Sequence, residues 1–219
     1  MEKYFDEIRT VGLFKGIIDS DLKTLLNCLK VEVISAVKNE FVMLAGNKPQ
    51  HIGIVLSGQL YIVKEEYDGH RSIVAAVTPG EIYGEALCFA GVDECPVTVI
   101  AETDSIILLI RYNGIMNTCT NSCGAHIIFN ENFLGLMANK ILYLRNRMEI
   151  IGLKSVRAKV LRYLDSFAKK QRTNITIPFN REELADYLCV ERTALSHELS
   201  KMKKDGLIDY WKNHFSLRT

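Results

Sequence analysis

No stretch of this 219-residue chain comes near the roughly 20 consecutive apolar residues that a membrane-spanning helix needs. Its most apolar run, Ile106 to Ile110, has the length of a buried strand. A secretory start is also lacking: Met1-Glu2-Lys3-Tyr4-Phe5-Asp6 is acidic, with neither a basic opening nor an apolar stretch. The expectation is a cytoplasmic protein with no membrane partner. Six cysteines in such a compartment are not expected to form a disulfide frame. There is no internal repeat and no low-complexity tract. With 48% hydrophobic and 24% charged residues, the composition is that of an ordinary folded protein.

The net charge of +1 hides a split. Residues 1–150 hold 13 Lys/Arg against 18 Asp/Glu, whereas residues 151–219 hold 14 against 8. A basic end on a near-neutral chain is the electrostatic footprint expected for phosphate, although small surface helices are often lysine-rich as well.

Phe5 to Leu29 reads as short helices, with Leu22, Leu25, Leu26 and Leu29 at helical spacing. From Val31 to Ile110 short β-branched runs alternate with glycine turns: Phe41–Ala45, Ile52–Leu56, Gln59–Val63, Ile73–Val77, Thr98–Ala101 and Ser105–Ile110. Asp68-Gly69 is a hairpin signal, and Gly46, Gly58 and Gly80 punctuate other turns. Many short strands at even spacing predict a closed or double-layered barrel.

From about His126 to Ile151 the pattern is helical. Ile127, Leu134, Ile141 and Met148 lie seven apart, and Met137, Leu144 and Ile151 repeat that spacing three residues later. Asn130 takes the polar place in the second series, where such a residue often sets register. A stripe that keeps the coiled-coil period on so long a helix favours pairing with a second copy over packing on the barrel.

After Gly152, Ser155 can cap a helix running to about Lys170, and Ile175–Pro178 is a short strand. Asn180, with Glu183 three residues on, has the capping-box pattern. A first helix to Tyr187 or Leu188 buries Leu184, Ala185 and Leu188. Cys189-Val190 turns the chain, and a second helix from about Glu191 to Lys203 buries Leu195, Leu199 and Met202. Gly206 stops it, and Leu207–Trp211 and His214–Leu217 flank a Lys212-Asn213 turn. This order describes a winged helix-turn-helix. Arg192, Thr193, Ser196 and His197 fall on the exposed start of the second helix, where side chains can reach base edges in a major groove. Lys201, Lys203 and Lys204 are the expected phosphate contacts, and Arg181 and Lys212 are further expected DNA-binding residues.

The run Asn180 to Leu199, read without a gap, resembles the helix-turn-helix of the Crp/Fnr family of bacterial transcription regulators. The glycines at 46, 58 and 80, with Gly84-Glu85 after them, are similar to that family's β-roll signature. The likeness covers about residues 10–219. It implies an α+β chain with a cyclic-nucleotide-binding-type β-roll, a double-layered jelly roll, over 1–124. A dimerisation helix would span 125–152 and a winged helix-turn-helix 153–219. It implies a homodimer on inverted-repeat double-stranded DNA, with RNA polymerase as a further partner if the protein activates. The departures bear on the effector. Members that bind cyclic AMP carry Arg-Ser ten residues after Gly-Glu, and Cys95-Pro96 stands there in this chain. The guanidinium partner of the cyclic phosphate is therefore missing, and proline removes a backbone donor. The family's polar adenine contacts fall on Leu142-Tyr143. Cyclic AMP is not the expected ligand. Glu85, Cys95, Pro96, Leu142 and Tyr143 would shape whatever effector pocket exists. The recognition helix keeps the family's serine as Ser196, but Thr193 and His197 differ, so the operator cannot be borrowed.

No cofactor is named by the sequence. The resemblance implies closely spaced N-terminal cysteines for an iron–sulfur cluster, and only Cys28 lies there. His51, His70 and His126 are too scattered to indicate haem. Cys119, Cys123 and His126, spaced by four and three, would share a helical face. They could ligate a soft metal or sense oxidants, or they could fill small apolar spaces. Two other readings stand beside a DNA-binding regulator. One is a cyclic-nucleotide-type binding module acting through a partner protein, which the basic end argues against. The other is an enzyme, for which Glu81 and Glu85 offer a carboxylate pair but no nucleophile–base set or phosphate loop accompanies them.

Overall fold

The protein's computed structural model describes residues 2–65, 71–116, 124–171 and 174–218. It forms two compact units, Met1–Leu136 and Met137–Thr219. The first opens with helices α1 (Phe5–Thr10) and α2 (Asp19–Cys28). Asp19 and Asp21 in the first turn of α2 suit the positive end of its dipole, and Leu22, Leu25 and Leu26 bury its inner face.

Strands β1 (Glu32–Ala36), β2 (Phe41–Met43), β3 (His51–Ser57), β4 (Leu60–Glu65), β5 (Arg71–Val77) and β6 (Ile82–Tyr83) follow. Helix α3 (Glu85–Ala90) precedes β7 (Thr98–Ala101) and β8 (Ser105–Arg111), and α4 (Tyr112–Met116) closes the run. The strands form two antiparallel sheets, ordered β1-β8-β3-β6 and β2-β7-β4-β5. The chain passes repeatedly from one sheet to the other, which makes the layered jelly roll expected from the turn spacing. Its interior is apolar, built from Ala36, Val55, Leu60, Val77, Val99, Ala101 and Ile107 around the ring of Tyr83. β3 is buried continuously from Ile52 to Leu56 because one face meets that interior while α3 packs nearby.

All six expected strands are present, Thr98–Ala101 with the expected ends and the other five with shifted ends. Four elements were not anticipated, one of them the short helix α4. β1 pairs with β8 from Glu32↔Leu109 to Ala36↔Ser105. β6 has two residues. α3 is a short helix set between Gly84 and Gly91, both left-handed, with φ of 80° and 66°. The Asp68-Gly69 hairpin tip and His70 lie outside the described residues, although β4 and β5 pair from Leu60↔Val77 to Glu65↔Arg71 as that hairpin requires. Gly53 lies under the Tyr83 ring, so a Cβ there would collide with it.

Helix α5 (Gly124–Ile151) contributes its first half to the first unit and its second half to the other. In the first unit Phe129 stacks on Phe14 at 5.8 Å. Asn132 Nδ2 donates to the carbonyls of Leu13 at 3.0 Å and Lys15 at 2.8 Å, and these bonds tie α5 to the N-terminal helices.

The second unit continues with α6 (Val156–Gln171), β9 (Ile175–Thr176), α7 (Arg181–Leu188), α8 (Arg192–Lys204), β10 (Ile208–Trp211) and β11 (His214–Leu217). Its sheet runs β10-β11-β9. Ile150, Val160, Leu164, Leu184, Leu188, Leu195, Leu199 and Phe215 belong to one core. Ser155 Oγ accepts from the Ala158 amide at 3.1 Å, the capping bond expected at the start of α6.

Candidate nucleic-acid interface

The turn between α7 and α8 is built from local sequence. Asn180 Oδ1 accepts from the amides of Glu182 and Glu183 at 2.9 and 3.0 Å, and Glu183 Oε2 accepts from the Asn180 amide at 2.7 Å. This is a complete capping box. Cys189 ends α7 with a φ of 51°, a left-handed conformation that reverses the chain within two residues.

α8 has two different faces. Leu195, Leu199 and Met202 are fully buried, while Arg192, Thr193, Ser196 and His197 are exposed along the opposite side of the first turns. Lys201, Lys203 and Lys204 crowd the last turn, where positive charge suits the helix dipole. Lys203 is engaged: its Nζ lies 2.6 Å from Asp209 Oδ1. That hydrogen bond is the main reason the Asp209 carboxyl titrates below the usual carboxylate range; the bond from the Tyr210 amide adds to it. Arg181, an expected DNA-binding residue, is half-buried against the β10–β11 hairpin instead of standing free. Lys212 sits in the hairpin turn with a φ of 53° and its Nζ 4.5 Å over the ring of Trp211.

Two supports for the helix-turn-helix escaped the sequence reading. Arg157 on α6 makes ion pairs with Glu198 at 2.6 Å and Asp205 at 2.7 Å, gripping the middle and end of α8. The Glu198 bond, followed by the Asp205 bond, raises the Arg157 pKa further. Lys159, also on α6, is buried and donates to the carbonyls of Leu188 and Cys189. These partners lie 29 to 48 residues apart in sequence, so no spacing rule could have found them.

Comparison with known proteins matches this architecture in two consecutive segments. Residues 33–122 match the cyclic nucleotide-binding domain, and residues 158–218 match the Crp-like helix-turn-helix domain. The chain belongs to the Crp/Fnr family of transcription regulators. It is similar to the transcriptional activator protein FnrL of Cereibacter sphaeroides, with 24% identity over 177 residues, covering 76% of this chain and 68% of that one. Among solved structures it resembles the catabolite activator protein of Thermus thermophilus (TM-score 0.54, 17% identity, 94% of this chain and 93% of that one). It also resembles the global regulator CLP of Xanthomonas campestris (TM-score 0.56, 18% identity, 90% of this chain and 99% of that one). These likenesses support the fold.

Within the Crp/Fnr fold, the expected effector residues are divided. In the first unit Glu85 is buried at the start of α3, Cys95 is buried with its Sγ donating to the Val97 carbonyl at 3.0 Å, and Pro96 is exposed. Burial, more than the nearby Glu85 charge, pushes the Cys88 thiol up to about 11. Glu81 works as a turn acid, its Oε2 accepting from the Thr78 amide at 2.8 Å. A cavity of about 270 Å³ opens in the same unit beside Met43, Lys48, His51, Tyr83 and Leu109, and Glu85, Cys95 and Pro96 do not line it. His51 titrates below its ordinary value because it is partly removed from water and faces Arg111. In the second unit Leu142 and Tyr143 are half-exposed, and the Tyr143 ring lies 6.5 Å from that of Tyr187.

The apolar stripe of α5 faces outward: Ile127, Leu134, Ile141, Leu144 and Met148 are 55–69% exposed, while Asn130, Met137 and Ile151 are partly covered. Of the cysteine–histidine group, His126 is buried at the start of α5, and Cys119 and Cys123 lie outside the described residues. Among the described residues no helix is long and apolar enough to cross a membrane, and no cluster of three His, Cys, Asp or Glu side chains is placed to hold a metal.

Proposed function

We propose that this Crp/Fnr regulator acts in the cytoplasm as a homodimer on inverted-repeat DNA, with α8 of each protomer as the recognition helix, and that cyclic AMP is not its effector. The observation that carries the DNA reading is the two-faced α8. Arg192, Thr193, Ser196 and His197 have no role in the core, yet they stand together on a helix whose other side is fully buried. Arg192 suits a bidentate bond to guanine, and Ser196, Thr193 and His197 supply shorter donors and acceptors. Lys201 and Lys204 offer positive charge at the end of the same helix.

The exposed stripe on α5 supports self-association. Five large apolar side chains in heptad order on a soluble chain lose apolar burial unless a partner covers them, and a second copy supplies the same stripe. Cys95-Pro96 in place of the Arg-Ser grip supports exclusion of cyclic AMP. If the protein activates, RNA polymerase is its further partner.

The test is selection of duplexes from a random pool by the full-length protein. The expected product is an inverted repeat with half-sites about one helical turn, roughly 34 Å, apart. Arg192→Ala should lower discrimination between the selected site and a single-base variant by about tenfold, while Lys204→Ala should weaken both alike. Recovery of no common sequence would overturn the proposal.

A further inference from the structure

α7 opens with Arg181, and its guanidinium is committed inside the protein's own framework. Its Cζ lies 5.1 Å from the ring centre of Tyr210 and 5.7 Å from that of Phe215. Those residues sit opposite each other on β10 and β11, with their rings stacked at 5.7 Å. One terminal nitrogen donates to the carbonyl of Lys212 at 3.3 Å, at the left-handed turn of the hairpin. Loss of water lowers the Arg181 pKa, as expected for a cation held under a sheet. Arginine suits this place because its planar fork can lie over two rings and still bond an oxygen at its edge.

The hairpin held in this way projects Trp211. It is the chain's single tryptophan and is 66% exposed. It pairs with His214 across the strands, and alternation places it on the sheet face opposite Tyr210. Lys212 lies over its ring. A large aromatic surface left in water with a cation on it suits a partner with flat apolar patches inside an anionic field. Deoxyribose rings between phosphates provide that combination.

We infer that Arg181 is a positioning residue that braces the wing instead of a phosphate contact, and that the surface it holds out, Trp211 with Lys212, packs on the sugar–phosphate backbone of DNA. This rests on α8 being the recognition helix. The two ideas fail differently: a duplex can bind through α8 without touching Trp211.

The probe is a duplex selected by the full-length protein, followed by Trp211 emission, which no other tryptophan obscures. Binding should shift the emission and reduce acrylamide quenching severalfold. Trp211→Ala should weaken binding about tenfold with the salt slope unchanged. Arg181→Ala and Arg181→Lys should both weaken binding while keeping the wild-type dependence of log K on log salt, because neither removes a phosphate contact. Three results would overturn the inference. The first is Trp211 emission unmoved by a duplex that binds. The second is Arg181→Ala lowering the salt slope by about 1 while Arg181→Lys restores it, which identifies a phosphate contact. The third is failure of any duplex to bind, which would remove the reading of α8 as well.

Discussion

The ammonium of Lys159 donates to the main-chain oxygen of Leu188 at 3.0 Å, deep under the turn of the helix-turn-helix. A second donation, to Cys189 at 3.4 Å, completes a cap on the last carbonyls of α7. Those carbonyls have no partner within their own helix. Lys159→Met keeps much of the side-chain bulk and removes the donor. It should destabilise the DNA-binding unit by about 1–3 kcal/mol. For a unit of this size that lowers the thermal midpoint by roughly 5 °C or more. Calorimetry of the full-length protein would check it, and an unchanged midpoint would show that the cap contributes nothing.

Gly53 makes room for Tyr83 inside the jelly roll. A methyl at residue 53 would enter the space of a ring that is itself buried. Gly53→Ala should therefore cost about 1–3 kcal/mol by overpacking, and Gly53→Ala combined with Tyr83→Leu should recover most of it. Urea unfolding of the single and double variants measures this coupling directly.

Leu134 and Ile141 are 67% and 65% exposed on α5, one heptad apart. Replacing both with Asp places two charges at the centre of the proposed helix pair. Sedimentation should show a monomer for this variant and a dimer for the wild type, with the circular dichroism of the chain preserved. Affinity for an inverted repeat should fall by more than tenfold, because two half-sites no longer bind as one event.

Cys88 is buried, and its thiol is pushed up to about 11. At pH 8 only about one thiol in a thousand would ionise, and the thiolate is the species that reacts. Among the described cysteines, exposed Cys28 and Cys189 should be alkylated first, with Cys88 protected until the chain unfolds. The same shift has a consequence for stability. The folded chain holds Cys88 neutral, so its contribution is complete below the thiol's unfolded value near 9 and is lost as the pH rises toward 11. Denaturant midpoints should fall across that window, and Cys88→Ala should flatten the fall.

Local sequence carried the helix-turn-helix almost complete. The capping box at Asn180 and Glu183, the stop at Gly206 and the hairpin turn at Lys212-Asn213 all rest on contacts within a few residues. The heptad of α5 was legible for the same reason, since a helix repeats its faces at fixed spacing. Strand β1 was not legible, because pairing with β8 about 70 residues later makes it a strand.

The effector residues show the same division. Gly84-Glu85 and Cys95-Pro96 could be aligned by counting, but counting could not say that Tyr143 rests beside Tyr187 or that the cavity in the first unit opens beside His51 and Tyr83. Arg181 is the sharpest case. As a letter in the sequence it is a basic residue at the start of a DNA-binding helix. In the fold its guanidinium lies on Tyr210 and Phe215, residues some 30 positions away. By itself, then, the sequence determined the elements whose hydrogen bonds and faces close over short distances: the capped helices, the turns and the apolar stripe. Only the tertiary structure decided which charges stay free, because pairing and loss of water depend on neighbours that the chain brings together only when it folds.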